Sequence, residues 1–101
     1  MAREIKFRVW DSISKRMYEW DEIKHIPLVD FDLDHYTLMQ FTGLKDSSGV
    51  DIWEGDIVNV PYNNIGNHVV EMVRGRWNTS NYNLKSVKVI GNIHENKDLL
   101  T

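Results

Sequence analysis

Thr42-Gly43-Leu44-Lys45-Asp46-Ser47-Ser48-Gly49-Val50-Asp51-Ile52-Trp53-Glu54-Gly55-Asp56-Ile57-Val58-Asn59-Val60 is the run from which the rest of the chain can be read. Apolar residues on either side of a polar Asp-Ser-Ser-Gly segment predict a β-hairpin with its apex at Ser47 to Gly49, where glycine supplies the positive φ of a tight turn. Glu54-Gly55-Asp56 then reads as a bend: Gly55 lets the backbone turn sharply and Asp56 bonds neighbouring backbone. The β-branched residues 57–60 follow as a strand, which Pro61 ends because it lacks a backbone donor.

Working outward, Glu4 to Trp10 alternates, with Ile5, Phe7 and Val9 on one side and Lys6 and Arg8 on the other, the period-2 pattern of a half-buried strand. Asp11 to Lys15 is rich in side chains that bond local backbone, so it predicts a turn into a second strand over Arg16 to Trp20. Asp21 to Ile26 reads either as continued strand or as a short helical turn, closed by Pro27. Val29, Phe31 and Leu33 alternate with Asp30, Asp32 and Asp34, the pattern of another strand, and Tyr36 to Phe41 reads as the next.

Beyond Pro61, Asn63 to Asn67 is an exposed loop and His68 to Val73 a strand. A twisted strand is expected over Gly75 to Thr79, a loop over Ser80 to Asn83, and a last strand over Ser86 to Ile93 with Val87, Val89 and Gly91 on one face. Asn96 is placed to cap a final helical turn through Leu100. No long segment carries a helical period, and no internal repeat is present. The expected fold is mainly β: small antiparallel sheets and at most a short C-terminal helical turn.

At 101 residues, one domain over 1–101 is expected, with lobes at 1–41 and 42–101. Hydrophobic residues make up 42% and charged residues 27%, which suits a globular core and argues against a disordered chain. Fifteen acidic against twelve basic residues leave a charge of −3, opposite in sign to the footprint of a dedicated nucleic-acid binder. There is no cysteine, which rules out disulfides, thiolate metal sites and a cysteine nucleophile. No stretch is apolar for the roughly 20 residues that span a bilayer, so no membrane association is expected and the cytoplasm is the expected compartment.

Three blocks in the chain are more specific than any single motif. Leu38-Met39-Gln40-Phe41-Thr42-Gly43-Leu44-Lys45-Asp46, continuing through Gly49 to Trp53-Glu54-Gly55-Asp56-Ile57-Val58, resembles the central signature of the YopX family. Val89-Ile90-Gly91-Asn92-Ile93-His94-Glu95-Asn96 resembles the end of that family's sequences, and Arg3 to Asp11 their start. The signature residues carried by the resemblance are Gln40, Thr42, Gly43, Leu44, Asp46, Gly49, Glu54, Gly55, Asp56, Gly91 and Asn92. The resemblance implies a bacteriophage or prophage origin and a host-bacterial cytoplasmic setting, and it brings no activity with it. The segments 21–35 and 60–85 are short for that family. By analogy of fold, residues 42–101 are similar to a small SH3-like barrel.

Chemistry-bearing groups are each matched by a structural alternative. Asp30, Asp32 and Asp34 begin like a calcium loop, but the sixth and twelfth positions hold His35 and Phe41 instead of Gly and Glu. An acidic solvent face of a strand, or an edge strand protected by charge, is the preferred reading, and a metal-dependent hydrolase built on them with a histidine is the weakest of the readings. His25, His35, His68 and His94 have no zinc-ligand spacing. Glu54 and Asp56 form either a general acid-base pair or backbone caps at a bend. No serine stands in a nucleophile elbow and no glycine-rich phosphate loop is present, so no catalytic residue, metal site or cofactor is assigned.

Arg74, Arg76, Lys85 and Lys88 with Trp77 and Tyr82 could track a nucleic-acid backbone and stack bases, unless the aromatics fill the core. The leading expectation is a non-enzymatic accessory protein that binds itself as a homo-oligomer or binds a host or phage protein. A nucleic-acid module using Arg74, Arg76, Trp77, Lys85 and Lys88 is the alternative.

Overall fold

The computed structural model describes residues 5–27, 31–32 and 34–100. The fold is mostly β, with nine strands, one four-residue α-helix and short 3-10 turns among the described residues. The chain divides into two compact units, Met1–Phe41 and Thr42–Thr101.

In the first unit, β1 (Phe7–Asp11) is the central strand, antiparallel to β2 (Arg16–Tyr18) on one side and to β3 (Tyr36–Lys45) on the other. The β1–β2 turn forms where the sequence predicts it. The Asp11 carboxylate accepts from the backbone N–H of Ile13 and Ser14 at 2.9 and 3.2 Å, and Lys15 takes a φ of 58° to close the reversal. Val9 pairs with Tyr18 and with Leu38, so flanking strands occupy both of its edges. Val9 is buried as the alternation predicts, but Trp10 is buried as well and Ile5 is 66% exposed, so burial gathers at the end of β1 and not along one face.

Helix α1 (Trp20–Ile23) resolves the ambiguity at residues 21–26 in favour of a helical turn. Glu19 and Glu22 form a reciprocal capping box, and Asp21 and Glu22 in the first turn suit the positive end of the peptide dipoles. Ile23 is its one buried residue. The alternation at residues 28–33 does not make a strand at Phe31 or Asp32. Instead the Asp32 carbonyl accepts from the N–H of His35 and Tyr36 at 3.0 and 2.8 Å, and Asp34 lies within the same turn. Asp30 and the rest of 28–30, with Leu33, lie outside the described residues.

The second unit opens on the hairpin whose apex the sequence places at Ser47 to Gly49. The N–H of Asp46 donates to the Val50 carbonyl at 2.8 Å, Gly49 has φ +81°, and β4 (Asp51–Trp53) returns beside β3. β5 (Asp56–Val60) is the centre of a three-stranded antiparallel sheet between β6 (Gly66–Val69) and β9 (Lys88–Asn92). Its core gathers Ile52, Val58, Val60, Val70, Trp77 and Val87, with Leu44, Tyr62, Tyr82 and Val89 packed around them. Between Ile57 and Val58 the register shifts, so Ile90 is an extra residue between the partners Val89 and Gly91, a β-bulge.

The expected strand over 68–73 is broken at Val70 and Glu71. β7 (Met72–Val73) and β8 (Arg76–Trp77) form a separate two-stranded hairpin, turned at Arg74 and Gly75 with φ of 52° and 83°. The strand expected to run on to Thr79 stops at Trp77, because Asn78–Asn81 winds into a 3-10 turn with the Ser80 hydroxyl donating to the Trp77 carbonyl at 2.7 Å. The described residues of this unit carry small antiparallel sheets, β6-β5-β9 and the β7–β8 pair.

The final turn, Lys97–Leu100, is 3-10, and the Leu99 N–H donates to the backbone carbonyl of Asn96 at 3.0 Å. The Asn96 Oδ1 accepts from the Asn92 N–H at 3.1 Å, while the Leu99 carbonyl accepts from the Asn67 side-chain amide of β6 at 2.9 Å. Gly91 is needed for this arrangement: a Cβ there would lie 2.5 Å from Asn96 Oδ1. Gly91→Ala is therefore expected to cost about 1–3 kcal/mol through overpacking, read as a lowered urea midpoint at unchanged slope.

Candidate functional site

The signature residues divide into turn formers and polar clamps. Asp46, 8% exposed, accepts three backbone N–H bonds: Ser48 and Val50 of its own turn at 2.8 and 2.9 Å, and Val89 of β9 at 2.9 Å. Burial works against its charged form, but these donors and the nearby Lys88 outweigh burial and hold the carboxyl below its usual value. The buried Thr42 hydroxyl donates to the Ile52 carbonyl at 2.7 Å and accepts from the Leu44 N–H at 3.0 Å. Gly43 lies within β3 with φ +84°.

Asp56 is 1% exposed and accepts from the Trp53 N–H at 2.8 Å, across a bend in which Gly55 has φ +85°. Asn92 gathers the last turn, accepting from the N–H of His94 and Glu95 and donating to the Glu95 carboxylate, each at 3.0 Å. Gln40 stands on β3 opposite Phe7, and Glu54 is half-buried at the bend. The side chains of Thr42, Asp46, Asp56 and Asn92 thus each bond backbone at a turn or in the strand beside it.

The cationic candidates occupy two places. Arg74 and Arg76 are exposed on the β7–β8 hairpin. Lys85 lies beside Lys45, Asp46 and Ser47, and the exposed Lys88 is the cation that steadies Asp46. Trp77 is 5% exposed and belongs to the core, so its ring has no face to offer a base. Tyr82 packs on that same core and tilts against His68 with ring centroids 5.1 Å apart. The ring nitrogens of His68 have no hydrogen-bond partner, and burial lowers its pKa against the opposing pull of Glu71.

Of the acidic cluster, Asp32 is a turn residue. Its carboxylate accepts from the Asp34 N–H at 2.9 Å and meets His35 Nδ1 at 2.8 Å, contacts that hold its pKa down. No group of three or more potential metal ligands converges among the described residues.

A concavity that sequence reasoning missed lies in the first unit. It has a volume of about 300 Å³ and is lined by Tyr18, Glu22, Ile23, Ile26, Phe31 and Tyr36. Strand β2, helix α1, the Asp32 turn and the start of β3 each contribute, so no local motif announces it. The Phe31 and Tyr36 rings meet edge-on at 5.5 Å. At the rim, the Arg16 guanidinium lies 4.2 Å from the Tyr18 ring centroid and pairs with the Glu22 carboxylate.

These features define a small, mostly β protein in which polar side chains fasten turns. The chain belongs to the YopX family: the family model described as "YopX protein" matches residues 6–101. No curated protein matches it significantly. Among solved structures it is similar to protein EF1440 from Enterococcus faecalis, at 29% identity and a TM-score of 0.70, over 99% of this chain and 100% of that one.

Proposed function

We propose that this is a phage or prophage accessory protein that works in the host cytoplasm by binding another protein, without catalysis, and that the β7–β8 hairpin is its contact element. The observation that carries this reading is the hairpin itself: Met72 and Val73 are 43% and 44% exposed, next to the exposed Arg74 and Arg76. An apolar pair flanked by arginines suits a partner surface that is apolar at its centre and acidic at its edge. The base of the hairpin is already fixed. Asn78 exchanges bonds with the Glu71 backbone at 3.0 and 3.1 Å and donates to the Val69 carbonyl at 2.8 Å, so less order has to be gained on binding. The partner is a second copy or a host or phage protein.

Light scattering across a wide concentration range, joined to capture from host lysate, tests this with the wild type and a Met72→Glu, Val73→Glu variant. Self-association or one defined partner is expected for the wild type, weakened more than about tenfold in the variant at an unchanged melting temperature. A strictly monomeric wild type that retains no protein defeats it.

Nucleic acid is the second reading, favoured by the exposure of Arg74 and Arg76 at the tip. It expects salt-sensitive retention of single strands that falls with Arg74→Ala plus Arg76→Ala. No shift at low ionic strength ends it.

A further inference from the structure

We propose that the concavity of the first unit is a binding site for an organic cation: a guanidinium or alkylated ammonium group on a short aliphatic stem. Tyr18, Phe31 and Tyr36 supply three rings, Glu22 a carboxylate, and Ile23 and Ile26 an aliphatic floor. Ring faces carry negative potential, and they attract most effectively cations whose charge is spread out and weakly hydrated. A compact, strongly hydrated ion would lose more water in such a lining than these walls return, and an anion would face Glu22. The volume of about 300 Å³ accommodates a trimethylammonium or guanidinium head with part of its stem.

A second observation points to the same chemistry. The chain already places a cation on this site's groups: Arg16 stacks on Tyr18 at 4.2 Å and pairs with Glu22. Both ends of that pair are about half exposed, at 54% and 42%, so the guanidinium can move into water without burying an unpaired charge. Glu22 keeps its other oxygen on the Glu19 N–H, which holds the carboxylate at the rim when Arg16 leaves. Arg16 is thus a resident competitor, and an incoming cation exchanges with it.

The test titrates choline, N-acetyl-arginine amide and the uncharged choline isostere 3,3-dimethyl-1-butanol into the full chain, following the ring protons of Tyr18 and Tyr36 by NMR. Millimolar binding is expected for at least one of the two cations, and binding about tenfold weaker for the alcohol. Choline against the arginine amide separates a small quaternary ammonium from an arginine side chain as the source. Arg16→Gln, which leaves the helix cap untouched, is expected to tighten binding several-fold, and Glu22→Gln, which can still accept the Glu19 N–H, to weaken it about tenfold. The proposal is overturned if the alcohol binds as tightly as both cations, or if neither cation moves the tyrosine signals in both the wild type and a folded Arg16→Gln.

Discussion

Replacing Asp46 by alanine is expected to lower stability by about 2–3 kcal/mol, since three backbone N–H groups lose a charged acceptor together. Two of them, on Ser48 and Val50, lie in the same turn as Asp46, and their bonds are part-buried. The third, on Val89, is part-buried and lies 43 residues away in sequence, so its loss loosens β9 from the hairpin. The same variant should flatten the acid limb of the stability curve. Because the folded carboxyl has a lowered pKa, the unfolded chain binds more protons in the window below 3.8. The contribution of Asp46 is complete above that value and is lost as pH falls through the folded pKa. Urea titrations at neutral pH and across the acid range measure both effects. An Asp46→Ala chain as stable as the wild type at neutral pH would show that the clamp carries no weight.

Trp77→Ala is expected to have the larger effect, about 3–5 kcal/mol, because it removes an indole from a core shared with Ile52, Val58, Val60, Val70 and Val87. In a small unit such a loss approaches the whole margin of stability, so the variant should be largely unfolded near physiological temperature. Trp77→Phe should be milder, because a ring still fills part of the space. Thermal melts with single-strand retention measured alongside distinguish this from a stacking role: a residue that stacked on bases would leave the melt unchanged and reduce retention alone.

The strands were legible wherever the pattern is enforced by one buried face and a marked turn. The hairpin apex at Ser47 to Gly49, the bend at Gly55 and the strand ended by Pro61 all follow from local chemistry. The alternation of Phe31 with its aspartates misled because Asp32 spends its carbonyl and carboxylate on a turn, a use that hydrophobic period does not register. Helix α1 was ambiguous for a similar reason: its start is fixed by the reciprocal bonds of Glu19 and Glu22, four residues being too few to show a period. The partnership of Asp46 with Val89, and the meeting of Tyr18, Glu22, Phe31 and Tyr36, were not legible, since both join segments that only the tertiary fold brings together. Trp77 could be read two ways because an aromatic among cations suits a core as well as a surface, and burial alone decides.

The amide of Asn67 that reaches the Leu99 carbonyl bears on solubility as well as on packing. β6 is an outermost strand, and an uncovered strand margin is a template on which a neighbouring polypeptide can zip. The short 3-10 coil at 97–100 is moored to that strand through a side chain, and trimming it away is expected to leave a chain more prone to polymerise through strand addition.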